Sequence, residues 1–398
     1  MPDFNPAVRP DPTIITGSRG PEDHVSQRVV LDMQDRILLY MPSATPFTTI
    51  TGGIKGKRKA FNRQFEWLEK DFKPRAAEVT TAYTAGATTV IVSATDATKI
   101  AANDLLKNTR TNEILLVTTP ATGSMTVVPG IGGGSADGAV GDKLLILGSS
   151  YTDYATIGTF KSITEYRNYN YTQIFRKPFG FTGRDLVTEL YGGDDKMTET
   201  KWQGVEHKRD IEYALLFGKR HLIAAAGGVH ERTMTGGLDW AINTNRWDVT
   251  GVSLTKRAFD EFLEEGLRWG RGGYLQGSGT KYLFHASRWG TEINSWADNK
   301  LEYRVLDKQY GMSATEYVSP HGRVMLVHAP ILDEFHPDMA FLVDVNHVDY
   351  VYLRQRDTKL LSGREANDLD GESYEYFSDC GLQVEFEQSH AILSGLSV

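Results

Sequence analysis

Two short stretches of the chain alternate aromatic and polar side chains with the two-residue period of a β-strand. In the first, Phe61, Phe65 and Trp67 point one way and Asn62, Gln64 and Glu66 the other; in the second, Tyr169, Tyr171 and Phe175 share a face. Such alternation predicts strands with one buried face. Paired as one ribbon they would run roughly 25 to 30 Å at about 3.3 Å per residue. A lone two-stranded ribbon is marginal in water, so the pattern predicts that it lies on something else, and a neighbouring copy of the same chain is the reading we favour.

The rest of the pattern is mixed. Pro2, Pro6, Pro10, Pro12 and Pro21 punctuate an N-terminal arm with few large apolar groups. From His24 to Tyr40, Val25, Val29, Met33, Ile37 and Tyr40 recur at helical spacing, and Pro42 and Pro46 end that helix. Between the aromatic stretches, residues 76–148 turn abruptly to Thr, Val, Ala and Gly. Short apolar runs at Thr88–Val92, Ile114–Thr118, Met125–Val128 and Lys143–Leu147 predict a small all-β module. A weak internal echo links Asn103-Asp104-Leu105-Leu106 with Gly141-Asp142-Lys143-Leu144-Leu145. The module reads as an insertion, which a chain tolerates because loop-closure entropy grows slowly with length.

The longest helical signal covers Thr198–Ala226, with Ile211, Leu215, Leu222 and Ala225 on one stripe and Gly227-Gly228 as its stop. Further helices are predicted over Leu254–Trp269 and Ser287–Asp298. Strands are predicted at Lys281–His285, Arg323–His328, Phe341–Val345, Val348–Leu353 and Leu382–Phe386. The alternation of Leu382, Val384 and Phe386 with Gln383, Glu385 and Glu387 is one-sided. The expected class is therefore α+β with antiparallel sheets, not a doubly wound parallel sheet.

Composition narrows the function. The chain has 398 residues, 40% hydrophobic and 24% charged, the balance of a globular protein of two or three units. No apolar run approaches the ~20 residues that cross a bilayer, and the N-terminus lacks the charged start and apolar stretch of a secretory signal. Cys380 is the only cysteine, which removes disulfide frameworks and Cys-rich metal sites. A net charge of -8 argues against a phosphate-gripping role; plain solubility accounts for it, and in a chain that lined a container for DNA it would also keep the wall from sticking to its contents. The basic run Lys55, Lys57, Arg58, Lys59 reads as a solvated or subunit-contacting turn.

Catalytic patterns are sparse. Gly56-Lys57-Arg58 lacks the first glycine and the hydroxyl of a phosphate loop, and the Gly130–Ser135 stretch lacks the last glycine of a dinucleotide fingerprint. His321, His328, His336 and His347 cluster near Asp333, Glu334 and Asp338, but their spacing matches no helical metal-ligand pair. They leave a hydrolase as the alternative from a different class. No catalytic residue, metal ligand or cofactor site is assigned.

The order of parts resembles the major capsid proteins of tailed bacteriophages, the Hong Kong 97-type fold, in the family with a β domain inserted in the extended loop. The residues that carry the likeness are Phe65-Glu66-Trp67-Leu68-Glu69 outgoing and Asn170-Tyr171-Thr172-Gln173-Ile174-Phe175-Arg176 returning, with Gly236-Gly237-Leu238 and Asp379-Cys380-Gly381-Leu382. The resemblance implies an arm with a short helix (1–45), an extended β-hairpin loop (46–75 and 151–180) and an inserted β domain (76–150). It also implies a peripheral domain on a spine helix (181–235 and 331–398) and an axial domain (236–330). Phe61, Phe65, Glu66, Trp67, Tyr169, Tyr171, Phe175 and Arg176 are then the expected subunit-contact residues. The implied partners are further copies in hexamers and pentamers, with scaffolding, portal and decoration proteins beside them. Together the copies form an icosahedral virion shell, assembled in the host cytoplasm around double-stranded DNA. A cellular nanocompartment shell with protein cargo is the related alternative, and lysine–asparagine cross-linking stays open.

Overall fold

Pro46 opens the first described helix, α1 (Pro46–Thr48), with its ring at the position where a missing N–H costs nothing. The helix runs into a π-helical turn (Thr49–Ile54) and then β1 (Lys57–Ala60) and β2 (Gln64–Glu69). The computed structural model describes residues 45–396 except 71–73, 157, 159–160, 189–194, 227–229, 252–253, 269–279, 297–313, 320 and 367. The proline-rich arm and the helix predicted over His24–Tyr40 lie outside the described residues.

β1 and β2 correct the reading of one continuous aromatic strand. Ala60 is buried, and its carbonyl accepts the Arg354 N–H at 2.9 Å. Asn62 Oδ1 then accepts the N–H of Arg63 at 2.8 Å, the local side-chain bond by which asparagine turns a backbone. Phe61 therefore sits in a bend and shares no strand face with Phe65.

Six strands follow: β3 (Ala76–Thr81), β4 (Thr89–Val92), β5 (Asp104–Asn108), β6 (Ile114–Ala121), β7 (Ser124–Val128) and β8 (Lys143–Ser149), with α2 (Ala94–Ala97) between β4 and β5. They close into a barrel in the order β3-β4-β7-β6-β5-β8. Its core holds Val79, Val90, Leu106, Leu115, Val117, Val127 and Leu144, the inward members of alternating strands.

The barrel is built twice over. Exchanging β3, β4, β5 for β6, β7, β8 maps every strand pair onto another. Thus Lys107↔Ile114, Leu106↔Leu115 and Leu105↔Leu116 become Leu145↔Ala76, Leu144↔Ala77 and Lys143↔Glu78. Hydrogen bonds repeat likewise: Asn103 N–H to Val117 O at 2.7 Å matches Gly141 N–H to Val79 O at 2.8 Å. Asp104 Oδ2 accepts Ala101 N–H at 2.7 Å, as Asp142 Oδ2 accepts Ala139 N–H at 2.9 Å. The internal echo thus marks the paired strands β5 and β8. Each begins after a residue in left-handed backbone, Asn103 at φ 68° and Gly141 at φ 88°.

β9 (Tyr166–Tyr171) pairs with β2, and β10 (Gln173–Thr182) leads through α3 (Gly183–Val187) into the spine helix α4 (Asp195–Phe217). The spine ends at Phe217, not Ala226. Gly218 closes it through its N–H on Ala214 O at 2.9 Å, and a Cβ there would run into the carbonyl oxygens of Ala214 and Thr235. Leu222, expected on the helix stripe, lies instead in β11 (His221–Ile223), paired with β12 (Arg232–Met234).

Next come α5 (Leu238–Ala241), β13 (Arg246–Asp248), α6 (Lys256–Arg268), β14 (Thr280–His285), α7 (Ser287–Ser295), β15 (Ala314–Ser319) and β16 (Gly322–His328). The chain closes with α8 (Pro330–Phe335), β17 (Ala340–Val343), β18 (Val348–Leu353), β19 (Lys359–Ser362), β20 (Gly371–Val384) and β21 (Ala391–Ser394). One sheet has the order β1-β18-β20-β10, with β19 also on β20; another runs β13-β21-β17-β14-β16-β15. Most pairs are antiparallel, whereas β1–β18, β13–β21 and β14–β16 are parallel. The end of β20 is not one-sided as its alternation suggested: Leu382, Gln383 and Val384 are all buried.

Phe47, Leu215, Phe259, Phe284, Trp289 and Phe341 centre the shared core, each fully buried large side chain stabilising by ~2–3 kcal/mol. The buried Lys281 of β14 donates to Gly266 O at 2.7 Å and to Ser389 O. It thereby satisfies a carbonyl at the end of α6, and burial lowers its pKa to about 8. By internal packing the chain divides into two units, Glu66–Tyr169 and the remainder.

Candidate subunit-contact site

β2 and β9 form a two-stranded sheet joined to no third strand among the described residues. Its polar groups satisfy one another. The Trp67 indole N–H donates to Glu69 Oε1 at 2.6 Å, and the Tyr166 hydroxyl donates to Glu69 Oε2 at 2.7 Å, so the nearly buried Glu69 carboxylate bridges the strands. Lys70 pairs with Glu165 at 2.7 Å and Arg167 with Glu66 at 3.4 Å; such exposed pairs add only ~0–1 kcal/mol each. Leu68 projects with 69% of its surface exposed. The ribbon has little core of its own.

Its roots are fixed. Asn170 is 3% exposed and uses its whole amide: Nδ2 donates to Gly236 O at 2.9 Å and Leu382 O at 2.6 Å, while Oδ1 accepts the N–H of Gly236 at 2.9 Å and Tyr171 at 2.8 Å. Thr172 N–H donates to Arg63 O at 2.8 Å. Gly381 lets the strands approach, since a Cβ there would lie 2.6 Å from Tyr171 O and 3.2 Å from Phe65 Cε1. Sequence reasoning missed this clamp. Its signal was Asn170 alternating between Tyr169 and Tyr171, and Gly236-Gly237 noted only as a likeness.

The expected contact residues separate into four groups. Phe65 and Phe175, 6% and 8% exposed, belong to the chain's own interior, so their rings are not on its surface. Phe175 moreover sits in β10, opposite Ser378 of β20, and takes no part in the ribbon. Phe61 is 76% exposed, flanked by Lys59 and Arg354 at 5.5 and 6.0 Å from its ring centre. Glu66, Trp67 and Tyr169 stand on the ribbon and Tyr171 at its root, none of them fully buried. Arg176 forks onto the buried Glu375, Nη2 to Oε2 at 2.8 Å, and holds that carboxyl below its usual range.

Half of the basic run is paired at home: Lys55 meets Asp349 at 2.6 Å and Lys57 meets Asp357 at 2.8 Å. The spine helix holds the chain's first described turn. Glu212, fully buried, accepts Phe47 N–H at 3.2 Å, Thr48 N–H at 3.0 Å and Thr48 Oγ at 2.8 Å. Desolvation outweighs these bonds and raises its pKa to about 7.

The histidine-rich stretch brings Ser287, His328 and Asp333 together without forming a nucleophile relay. Ser287 Oγ and Asp333 Oδ2 meet the same ring nitrogen, His328 Nε2, at 3.0 and 2.7 Å, whereas a relay needs serine and carboxylate on opposite nitrogens. Asp333 also accepts Ser287 N–H at 2.6 Å and Ser287 Oγ at 2.7 Å, which makes it a cap for α7. Burial opposes ionisation, yet these bonds hold its pKa below the usual value. His336 packs on Phe217 at 4.5 Å, and His321 lies in the turn before β16. No group of three metal-ligating side chains occurs among the described residues, and no described helix is long and apolar enough to cross a membrane.

A spine helix against the long antiparallel pair of β10 and β20, a strand ribbon without a core, and a barrel carried on that ribbon are the parts of a shell-building protein. The chain belongs to the SU10 major capsid protein family, whose model matches residues 15–397. It is a phage major capsid protein of the Hong Kong 97-type fold, and its role in that family is to form the shell. Among solved structures it is similar to the cyanophage A-1(L) capsid, with 11% identity over 94% of this chain and 99% of that one and a TM-score of 0.49. It is also similar to the capsid of a native GTA particle, with 9% identity over 94% and 97% and a TM-score of 0.46. The holo-SrpI encapsulin complex from Synechococcus elongatus matches at 11% identity over 58% and 76%, with a TM-score of 0.39. No curated protein matches the chain.

Proposed function

We propose that copies of this chain assemble as hexamers and pentamers into an icosahedral shell around a double-stranded DNA phage genome, and that the β2–β9 ribbon is the contact that reaches the adjacent copy. In this reading the extended loop expected over 46–75 and 151–180 narrows to the β2–β9 ribbon, since Phe47 lies in the main core, β1 pairs with β18 and β10 with β20; 76–150 is its inserted domain, 181–235 and 331–398 the peripheral domain, and 236–330 the axial domain. The observation that carries the proposal is the ribbon itself. It is a two-stranded sheet with clamped roots, an exposed Leu68 and a half-buried Trp67, and such a sheet is only marginally stable alone. Phe61 in the bend before it, and Glu66, Trp67, Tyr169 and Tyr171 on it, are the contact residues, Trp67 being of the type that concentrates interface energy.

Weak contacts suffice in a closed lattice, because each copy is held by several neighbours at high effective concentration. The net charge of -8 and the ion-paired Lys55 and Lys57 favour a wall that encloses DNA without gripping it. The shell forms in the host cytoplasm, with scaffolding, portal and decoration proteins as its further partners.

The test is Trp67→Ala in the full chain. Particle yield by sedimentation should fall at least tenfold while the dissociated subunit keeps its circular dichroism and melting temperature. A subunit that unfolds on this change would place Trp67 in an ordinary core and remove the proposal. Nuclease-protected DNA in virion particles is expected; protein cargo instead would indicate a nanocompartment.

A further inference from the structure

The two halves of the barrel share one backbone plan, so each outward position has a twin that serves as an internal control. Leu105, Ile114, Leu116, Val128, Leu145 and Leu147 face outward across the adjoining strands β8, β5, β6 and β7, with Leu105 opposite Leu116 and Leu116 opposite Val128. Val128, Leu145 and Leu147 are 41%, 39% and 44% exposed. Their twins in the same order are Lys143, Ala76, Glu78, Ser93, Lys107 and Thr109. The wall thus runs from β8 across β5 and β6 to β7, with Lys107 set between Leu145 and Ile114, whereas the twin positions are charged or small: Lys143, Glu78, Lys107, Ser93 and Thr109, with Ala76 the one apolar member. The fold does not require these leucines, since the same backbone closes with lysine, glutamate and threonine in their places.

We propose that this wall is an interaction surface for a second copy of the same chain within the shell. The inference rests on the shell reading and adds to it a second contact, distinct from the ribbon. Area decides the occupant. The wall offers on the order of 300 Å² of apolar surface, far below the ~800 Å² per partner of a stable complex formed from solution. A separate protein arriving by diffusion has too little to hold. A neighbouring copy already fixed by other contacts does not need more, because the lattice supplies the effective concentration.

The test uses Leu147→Cys in the full chain, with Thr109→Cys at its twin position as comparator. The native thiol stays silent, since Cys380 is fully buried and burial pushes its pKa up to about 12. The thiol placed by Leu147→Cys should react freely with a maleimide in dissociated subunits. It should react at least tenfold more slowly in particles assembled from this chain alone, while the comparator reacts alike in both.

Protection already present in dissociated subunits would mean that the chain covers its own wall and would overturn the proposal. Free reaction in particles overturns it too, whether or not another protein shields the wall in virions, and leaves the shell reading standing. Equal protection at both positions also overturns it. A wild-type chain that forms no particles even when co-expressed with its scaffolding partner removes the hexamer-and-pentamer reading and this proposal with it. A second variant checks energetics: Leu105→Lys with Leu116→Glu copies the twin face onto the wall, so the barrel has a precedent for folding. Particle yield should drop at least tenfold with an unchanged subunit spectrum, and an unchanged yield counts against the wall.

Discussion

Glu212 and His390 set opposite pH dependences on the same core. The Glu212 carboxyl has an ordinary pKa of 4.5 and a folded value of about 7. The folded chain therefore binds its proton more tightly, so this stability is full below pH 4.5 and is lost as pH rises to about 7. The loss is about 3 kcal/mol. Glu212→Gln should remove it, so that the variant gains on wild type by about that amount between pH 5 and pH 8. His390 is buried, accepts Asp344 N–H at Nδ1 (3.1 Å), and donates from Nε2 to Glu385 O at 3.1 Å. Burial lowers its pKa from 6.5 to about 3. Its contribution is full above pH 6.5 and falls by about 2 kcal/mol at pH 5, a loss absent from His390→Gln. Urea melts of dissociated subunits at pH 5 and pH 8 measure both, and a difference from wild type that is flat with pH would show that the group titrates normally. None of this was legible in the sequence. Glu212, His390 and Asn170 are common polar letters whose role comes from partners more than forty residues away.

The legible elements were those whose side-chain period and local stop signals agree. The barrel strands were readable because Val, Ile and Leu alternate with Thr and Lys between glycine or asparagine turns, and Val348–Leu353 is found as expected. The spine was overextended because Leu222 and Ala225 continue the helical period beyond a single glycine that gives no stronger signal than Gly204 inside the same helix. What ends the helix is Thr235 O lying where a Cβ on Gly218 would stand, a contact between segments that no local window contains. The ribbon's face was half legible: Phe65 and Trp67 do share a side, but Phe61 and Phe175 were separated from it by the bend at Asn62 and the clamp at Asn170–Thr172. Gly381 belongs to the same clamp. Gly381→Ala should lower subunit stability by about 1–3 kcal/mol through overpacking against Tyr171 O and Phe65, read from the melting temperature. A change under half a degree would mean that the ribbon root yields freely.

At the scale of the molecule, the barrel behaves as an insertion with joined ends. Arg75 O accepts the N–H of Ile146 at 2.8 Å, and Ala76 opposes Leu145, so the chain enters and leaves the barrel side by side. The two hydrophobic cores share no residue. A module with its own core and adjacent ends can be removed without asking the rest of the chain to rearrange. Replacing residues 76–145 by Asn-Gly would close Arg75 and Ile146 with a two-residue hairpin turn of the favoured kind. This shortened chain should fold with the circular dichroism of the larger unit. In calorimetry, wild-type subunits should show a transition that the shortened chain lacks, while the remaining transition stays within a few degrees. If the two units instead unfold only together, excision will abolish both transitions, and the barrel will have to be counted as part of the subunit's folding core. Should excision spare the subunit yet reduce particle yield, the duplicated barrel acts in assembly, as its apolar wall requires.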